Sequence, residues 1–124
     1  MKNKLIIIFL SIFFAKSALI ADEIDIQSKK IFIDKKKEVI TFESQVKIKD
    51  TENNVIESEY AEYNKKTGFI SLKNNVLAKD RSKNILKSQK AEYNEITKIF
   101  KTFGATKLIT SQNYIIESSD IFLE

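Results

Sequence analysis

From residue 39 onward, apolar and polar positions alternate with a period of two. Ile40, Phe42, Ser44, Val46 and Ile48 share one parity, with Thr41, Glu43, Gln45 and Lys47 between them. Ile70, Leu72, Asn74, Val76 and Ala78 repeat the pattern, and Phe100, Thr102, Gly104, Thr106 and Leu108 repeat it again. A period of two predicts half-buried strands with one wet face, and the β-branched and aromatic content suits strands. The small residue in the middle of each run (Ser44, Asn74, Gly104) predicts either a bend of the sheet or a local bulge. Further along, the phase slips: Ile56 and Ser58 have even numbers, Ala61 and Tyr63 odd ones. A one-residue slip is what a bulge or corner produces where a strand passes from one sheet to the facing sheet of a sandwich.

These runs recur because the chain repeats itself at a spacing of 30 residues without gaps. Val46 falls on Val76, Lys49 and Asp50 on Lys79 and Asp80, Ser58 on Ser88, and Ala61-Glu62-Tyr63-Asn64 on Ala91-Glu92-Tyr93-Asn94. Outward extension aligns Ile26, Ile56, Leu86 and Ile116, then Ser28, Ser58, Ser88 and Ser118. The copies run over 39–68 and 69–98, with partial copies at about 24–38 and 99–124. Between the strands, 50–54, 80–84 and 64–68 are clusters of turn-forming residues, so hairpin-linked antiparallel strands follow. The expected fold is all-β: an antiparallel twisted β-jellyroll, open-sandwich or β-solenoid-like, built from 30-residue repeats.

The N-terminus reads differently. Met1-Lys2-Asn3-Lys4 is followed by an apolar run over residues 5–15, broken by Ser11, and then by Lys16 and a small-residue stretch up to Ala21. That order predicts a secretory signal peptide over 1–21, a signal helix ahead of a domain over 22–124. Cleavage after Ala21 is the first choice and Ser17 the second. The run is short for a bilayer span; an uncleaved anchor stays open if Lys16 snorkels and 18–21 complete the span.

Charge then says little about partners. The chain of 124 residues carries a net charge of +4, but Lys2, Lys4 and Lys16 lie in the leader, which holds no acid, so the rest is at +1. The one concentrated basic run, Lys35-Lys36-Lys37, falls where a turn belongs and reads as a solvated loop, so no nucleic-acid partner is expected. The absence of Cys excludes a disulfide framework, and sheet pairing and apolar burial must hold the fold. With no His and no Cys, the usual general base, soft metal ligands and thiol nucleophile are missing. The serine column has no base at a recognisable spacing and fits small residues at a strand corner. Glu57, Glu59 and Glu62 fit a solubilising pattern better than a glycosidase pair. Tyr60, Tyr63 and Tyr93 fit packing better than a sugar platform. A binding protein rather than an enzyme is expected, with no metal and no cofactor. Its interior is either a closed core or, if the sheets open along one side, an apolar trough.

An exported chain with copies of an apolar–x–Ser–x–x–Ala–x–Tyr–Asn element, as in Ile56 to Asn64 and Leu86 to Asn94, resembles the OstA-like domain family of lipopolysaccharide transport, which includes LptA and the N-terminal domain of LptD. The resemblance covers residues 24–124. This chain departs from the family's usual Gly before Asn-Val, having Asn74 and Ser44 there, while Gly104 is followed by Ala105 and Thr106.

The resemblance implies a partly open jellyroll that holds the acyl chains of lipid A in its trough. It also implies end-to-end stacking with other such domains into a bridge through the periplasm, in some members at the outer membrane. The positions that match a lipid lining are Ile40, Phe42, Val46, Ile48, Ile70, Leu72, Val76, Phe100 and Leu108. The edge expected to pair with another domain is the final strand, with Tyr114, Ile115, Ile116, Ile121 and Leu123. The sequence stops at Glu124, at the position of Asn64 and Asn94, as expected either of a truncated last copy or of the start of a longer LptD-like chain. A structural repeat with a dry core and no lipid is the remaining alternative.

Overall fold

The computed structural model describes residues 24–123; the expected signal peptide lies outside them. The described chain is all strand and turn: β1 (Asp25–Gln27), β2 (Lys30–Asp34), β3 (Val39–Lys49), β4 (Val55–Asn64), β5 (Phe69–Lys79), β6 (Ile85–Asn94), β7 (Ile99–Phe103), β8 (Thr106–Ile109), β9 (Ile115–Ser118) and β10 (Phe122–Leu123). β3, β4, β5 and β6 pair in sequence order as an antiparallel meander, and all the strands join one sheet that does not close. Each 30-residue interval is thus a hairpin laid beside the previous hairpin. A solenoid coil, which would stack strands one repeat apart, is not formed: β3 and β5 are separated by β4.

What turns this meander into a jellyroll is a corner across the middle of every strand. The β3–β4 register shifts between Glu43 and Val46, the β4–β5 register between Glu57 and Tyr60, and the β5–β6 register between Lys73 and Val76. At the corner Ser44 and Gln45 have φ of 69° and 54°, and Asn74 and Asn75 have 69° and 58°. Left-handed backbone costs an ordinary L-residue roughly 1–2 kcal/mol, less for Asn. Gly104 supplies the same conformation, φ 79°, between β7 and β8, where it costs little. On the alternate strands the serine column bridges the bend. Ser28 Oγ donates to the Lys30 carbonyl (2.8 Å), Ser58 Oγ to Tyr60 (3.0 Å) and Ser88 Oγ to Lys90 (3.1 Å). Ser58 and Ser88 are buried, so these bonds satisfy hydroxyls that would otherwise be costly to cover.

The corner divides the sheet into two leaves folded toward one another. One leaf holds β2, β7, β10 and the 39–43, 60–64, 69–73 and 90–94 segments; the other holds β1, β8, β9 and the 46–49, 55–58, 76–79 and 85–88 segments. Every strand aromatic, inward or outward, belongs to the first leaf: Phe32, Phe42, Tyr60, Tyr63, Phe69, Tyr93, Phe100, Phe103 and Phe122. We call it the aromatic leaf and the other the aliphatic leaf. Inward residues of both form a single core, with Phe42, Ala61, Ile70, Leu72, Ala91 and Phe100 from one leaf and Val46, Ile48, Ile56, Val76 and Leu86 from the other. Covering a Leu or Ile side chain in this way stabilises by about 1.5–3 kcal/mol.

The turns repeat at 30-residue spacing too. On the aromatic leaf's lip, Asp34, Asn64 and Asn94 each accept two backbone N–H groups from the residues two and three further on, and Glu38, Gly68 and Lys98 take positive φ. On the opposite lip, Asp50 and Asp80 accept the backbone N–H of Asn54 and Asn84, with Asn53, Lys83 and Asn113 at positive φ. Such Asx turns explain the Asn and Asp usage at these positions.

The expected single final strand is two, β9 and β10, because the chain crosses the corner at 119–121. A polar cluster pins that crossing. In the columns of Phe42 and Leu72, and of Val46 and Val76, stand Thr102 and Thr106, buried and hydrogen-bonded to each other at 2.8 Å. Thr102 Oγ1 accepts from the Ile121 amide (2.9 Å), the Thr102 amide donates to the Ile121 carbonyl (2.8 Å), and the Gly104 amide donates to Asp120 (2.8 Å).

Candidate functional site

Packing is tightest beside the corner and loosens toward the lips. Val46, Leu72 and Thr102 are fully enclosed there, and so is Ile70 farther along its leaf. Nearer the lips the leaves diverge around a cavity of about 430 Å3, lined from the aliphatic leaf by Ile48, Ile56, Ala78, Leu86 and Leu108 and from the aromatic leaf by Tyr93, Phe100 and Leu123. Its polar margin comes from the turns, with Asp50, Asn54, Asp80 and Asn84 on one lip and Lys98 on the other. An apolar cleft of a few hundred Å3 with a few polar groups at its mouth has the size and character of a small-ligand site.

Of the residues that the family resemblance implied as a lining, Ile48, Phe100 and Leu108 border this cavity. Phe42, Val46, Ile70, Leu72 and Val76 lie in the closed core, and Ile40 packs against it half-buried. The molecule thus has one closed core and, toward its mouth, an apolar cleft. Ile56, Ala78, Leu86, Tyr93 and the more distant Ile24 line the cavity without having been singled out as lining. The 30-residue columns held the signal, since Ile56 and Leu86 stand in one column, but alternation alone does not tell how far along a strand the leaves part.

The edge residues separate as well. Tyr114 and Ile115 are 66% and 62% exposed, Ile116 is 47% exposed, and Leu123 is exposed yet faces inward opposite Phe100. Ile121 is half-buried against the core, and both its amide and its carbonyl are bonded to Thr102. The other end of the sheet is also apolar: Ile31, Phe32 and Ile33 of β2 are exposed.

Two titrating groups near the lips are shifted. Burial, reinforced by its hydrogen bond to Glu95, pushes the Tyr63 hydroxyl well above the usual tyrosine range, so it stays a donor. Modest burial alone would raise the Asp80 carboxyl, but hydrogen bonds from the Asn84 side chain and from the amides of Asn84, Ser82 and Lys83 outweigh it and hold the carboxyl below its ordinary value. Among the described residues no cluster of His, Cys, Asp and Glu is arranged to hold a metal, and no helix is long and apolar enough to cross a membrane.

No curated protein matches the chain. A family model described as OstA-like protein does, over residues 11–122, a span that takes in every corner, both lips and all of the cavity lining but Leu123. By that match, and with an open all-β sheet of the expected kind beneath it, the chain belongs to the OstA-like protein family.

Proposed function

We propose that this protein binds lipopolysaccharide non-covalently in the periplasm, takes lipid A acyl chains between its leaves, and serves as a module of a bridge between inner and outer membranes. The observation that carries the reading is the cavity of about 430 Å3 between the leaves, apolar within and polar at both lips, in a chain of the OstA-like family. Acyl chains suit the Ile, Leu and Phe lining, and the turn polar groups suit a head group left in water. The protein acts by binding and not by catalysis, as the absence of His and Cys also favours. The end-to-end contact joins the apolar β9 and β10 edge to the β2 edge of a neighbouring domain by strand pairing.

The test is a photoreactive residue at Ile56 or Leu108 in the presence of lipopolysaccharide, with Lys47 on the outer face as reference. Adducts are expected from the two inward sites. Equal labelling at Lys47, or none at the inward sites, rejects the proposal. The exposed edges favour one second reading, a structural β-repeat assembly module without a lipid ligand. It predicts no adducts from the cavity and loss of oligomers in Ile115→Pro, since Pro removes a donor from an edge strand.

A further inference from the structure

The outer surface of the aromatic leaf is built unlike that of the aliphatic leaf. Lys73 and Lys90 are direct cross-strand partners in β5 and β6, an arrangement of like charges that ordinarily destabilises a sheet. Neither makes an ion pair within 4 Å among the described residues; the Lys73 ammonium lies 4.7 Å from the centre of the Tyr60 ring and that of Lys90 5.5 Å from Phe103. Lys101 stands opposite Glu92 in register, yet its ammonium lies over Phe122 at 4.7 Å and near Phe103 at 5.8 Å. The acids of the same face, Asp34, Glu43, Glu62 and Glu92, pair with none of these lysines; Asp34 accepts the amides of its turn and Glu62 accepts from the Tyr60 hydroxyl.

Such a surface holds its ammonium groups up on aromatic supports with no close ion pair among the described residues, and the 62%-exposed ring of Phe122 stands beside them. The ring faces are already occupied by the ammonium groups, which disfavours sugar stacking. Anionic head groups in a plane answer both features, because they neutralise the opposed lysines while the rim aromatic enters the interface. We propose that the outer face of the aromatic leaf rests on an anionic lipid bilayer through Lys73, Lys90, Lys101 and Phe122.

Because the chain has no Trp, Phe122→Trp and, on the outer aliphatic leaf, Leu77→Trp give single reporters. The full-length proteins are mixed with vesicles of phosphatidylglycerol and phosphatidylcholine in equal parts, or of phosphatidylcholine alone. Residues 1–21 are common to both proteins, so whatever they contribute cancels. The expected result is a blue shift and quenching by brominated lipid at Phe122→Trp with the anionic vesicles only, and none at Leu77→Trp. Adding Lys73→Gln, Lys90→Gln and Lys101→Gln is expected to remove the Phe122→Trp response by lowering that face's affinity about a hundredfold, since each lysine near an anionic surface contributes about a fivefold factor. The corresponding triple Arg variant keeps the response. An equal response from both reporters, no response at Phe122→Trp, or an undiminished response in the Gln variant overturns the proposal.

Discussion

The two leaves are made from the same strands, joined through the same corner, yet they differ in what they can do. The aromatic leaf carries rings on both faces and includes the fully enclosed Ile70 and Leu72. The aliphatic leaf has no strand aromatic and supplies most of the apolar lining of the cavity through Ile48, Ile56, Ala78, Leu86 and Leu108. The inward rings Tyr63, Tyr93 and Phe100 stand toward the lips, and the smaller side chains facing them leave the space of the cleft. One leaf thus supplies the rings and the other the smaller aliphatic lining, a division of side-chain volume, since the backbone pairing is alike in both.

The sharpest way to break this contrast is to hollow the aromatic leaf. Ile70→Ala is expected to cost about 2–5 kcal/mol, as for buried aliphatic truncations, read from the urea midpoint. Leu108→Ala, at a half-buried position already bordering a cavity, is expected to cost less than half as much and to act mainly on ligand retention. Equal losses would mean that the leaves are packed alike.

Next in size is the polar seam that holds the chain end across the corner. Thr102→Val keeps the volume but strands the Ile121 amide, while the Thr106 hydroxyl keeps its bond to the Gly104 carbonyl, so a loss of about 1–3 kcal/mol is expected. Faster hydrogen exchange at Ile121 should accompany it, with that of Ile48, in the aliphatic leaf, unchanged.

Smaller again is the corner itself. Asn74→Ala is expected to destabilise by about 1 kcal/mol, because Ala resists φ near 69°, whereas Asn74→Gly should be neutral or stabilising. If both changes behave alike, the bend is not set at this residue.

The smallest effect concerns the aliphatic leaf's lip. The Asp80 carboxyl is held below its ordinary value, so its contribution is present above the unfolded-state value of 3.8 and is lost as pH falls through the lower folded value. In Asp80→Asn the stability difference from the parent is expected to shrink below about pH 4. The effect should be a few tenths of a kcal/mol, since the group is mostly exposed to solvent.

Much of this was legible in the sequence. Alternation gave the inward face, the Asn and Asp positions gave the turns, and the phase slip between Ser58 and Ala61 together with Ser44, Asn74 and Gly104 gave the corner. The serines at 28, 58 and 88 read as small corner residues; their hydroxyl bridges to the backbone needed coordinates. The segregation of the rings was also hidden, because parity assigns a residue to a face, and only the corner then assigns it to a leaf. For the same reason Phe42 and Leu72, with the same pattern as Ile48 and Phe100, could not be told apart as core or cleft. Nor does the column decide it, since Ile70 and Phe100 share one and only Phe100 borders the cavity.

The meander also bears on how the molecule comes to be folded. Every main strand from β3 to β6 pairs with the one just before it, so the contacts close over short stretches of chain and no early segment waits for a distant partner. Low contact order of this kind favours fast folding for an all-β protein. A chain emerging N-terminus first can add one hairpin at a time to a growing sheet, each newly made edge serving as the template for the next strand.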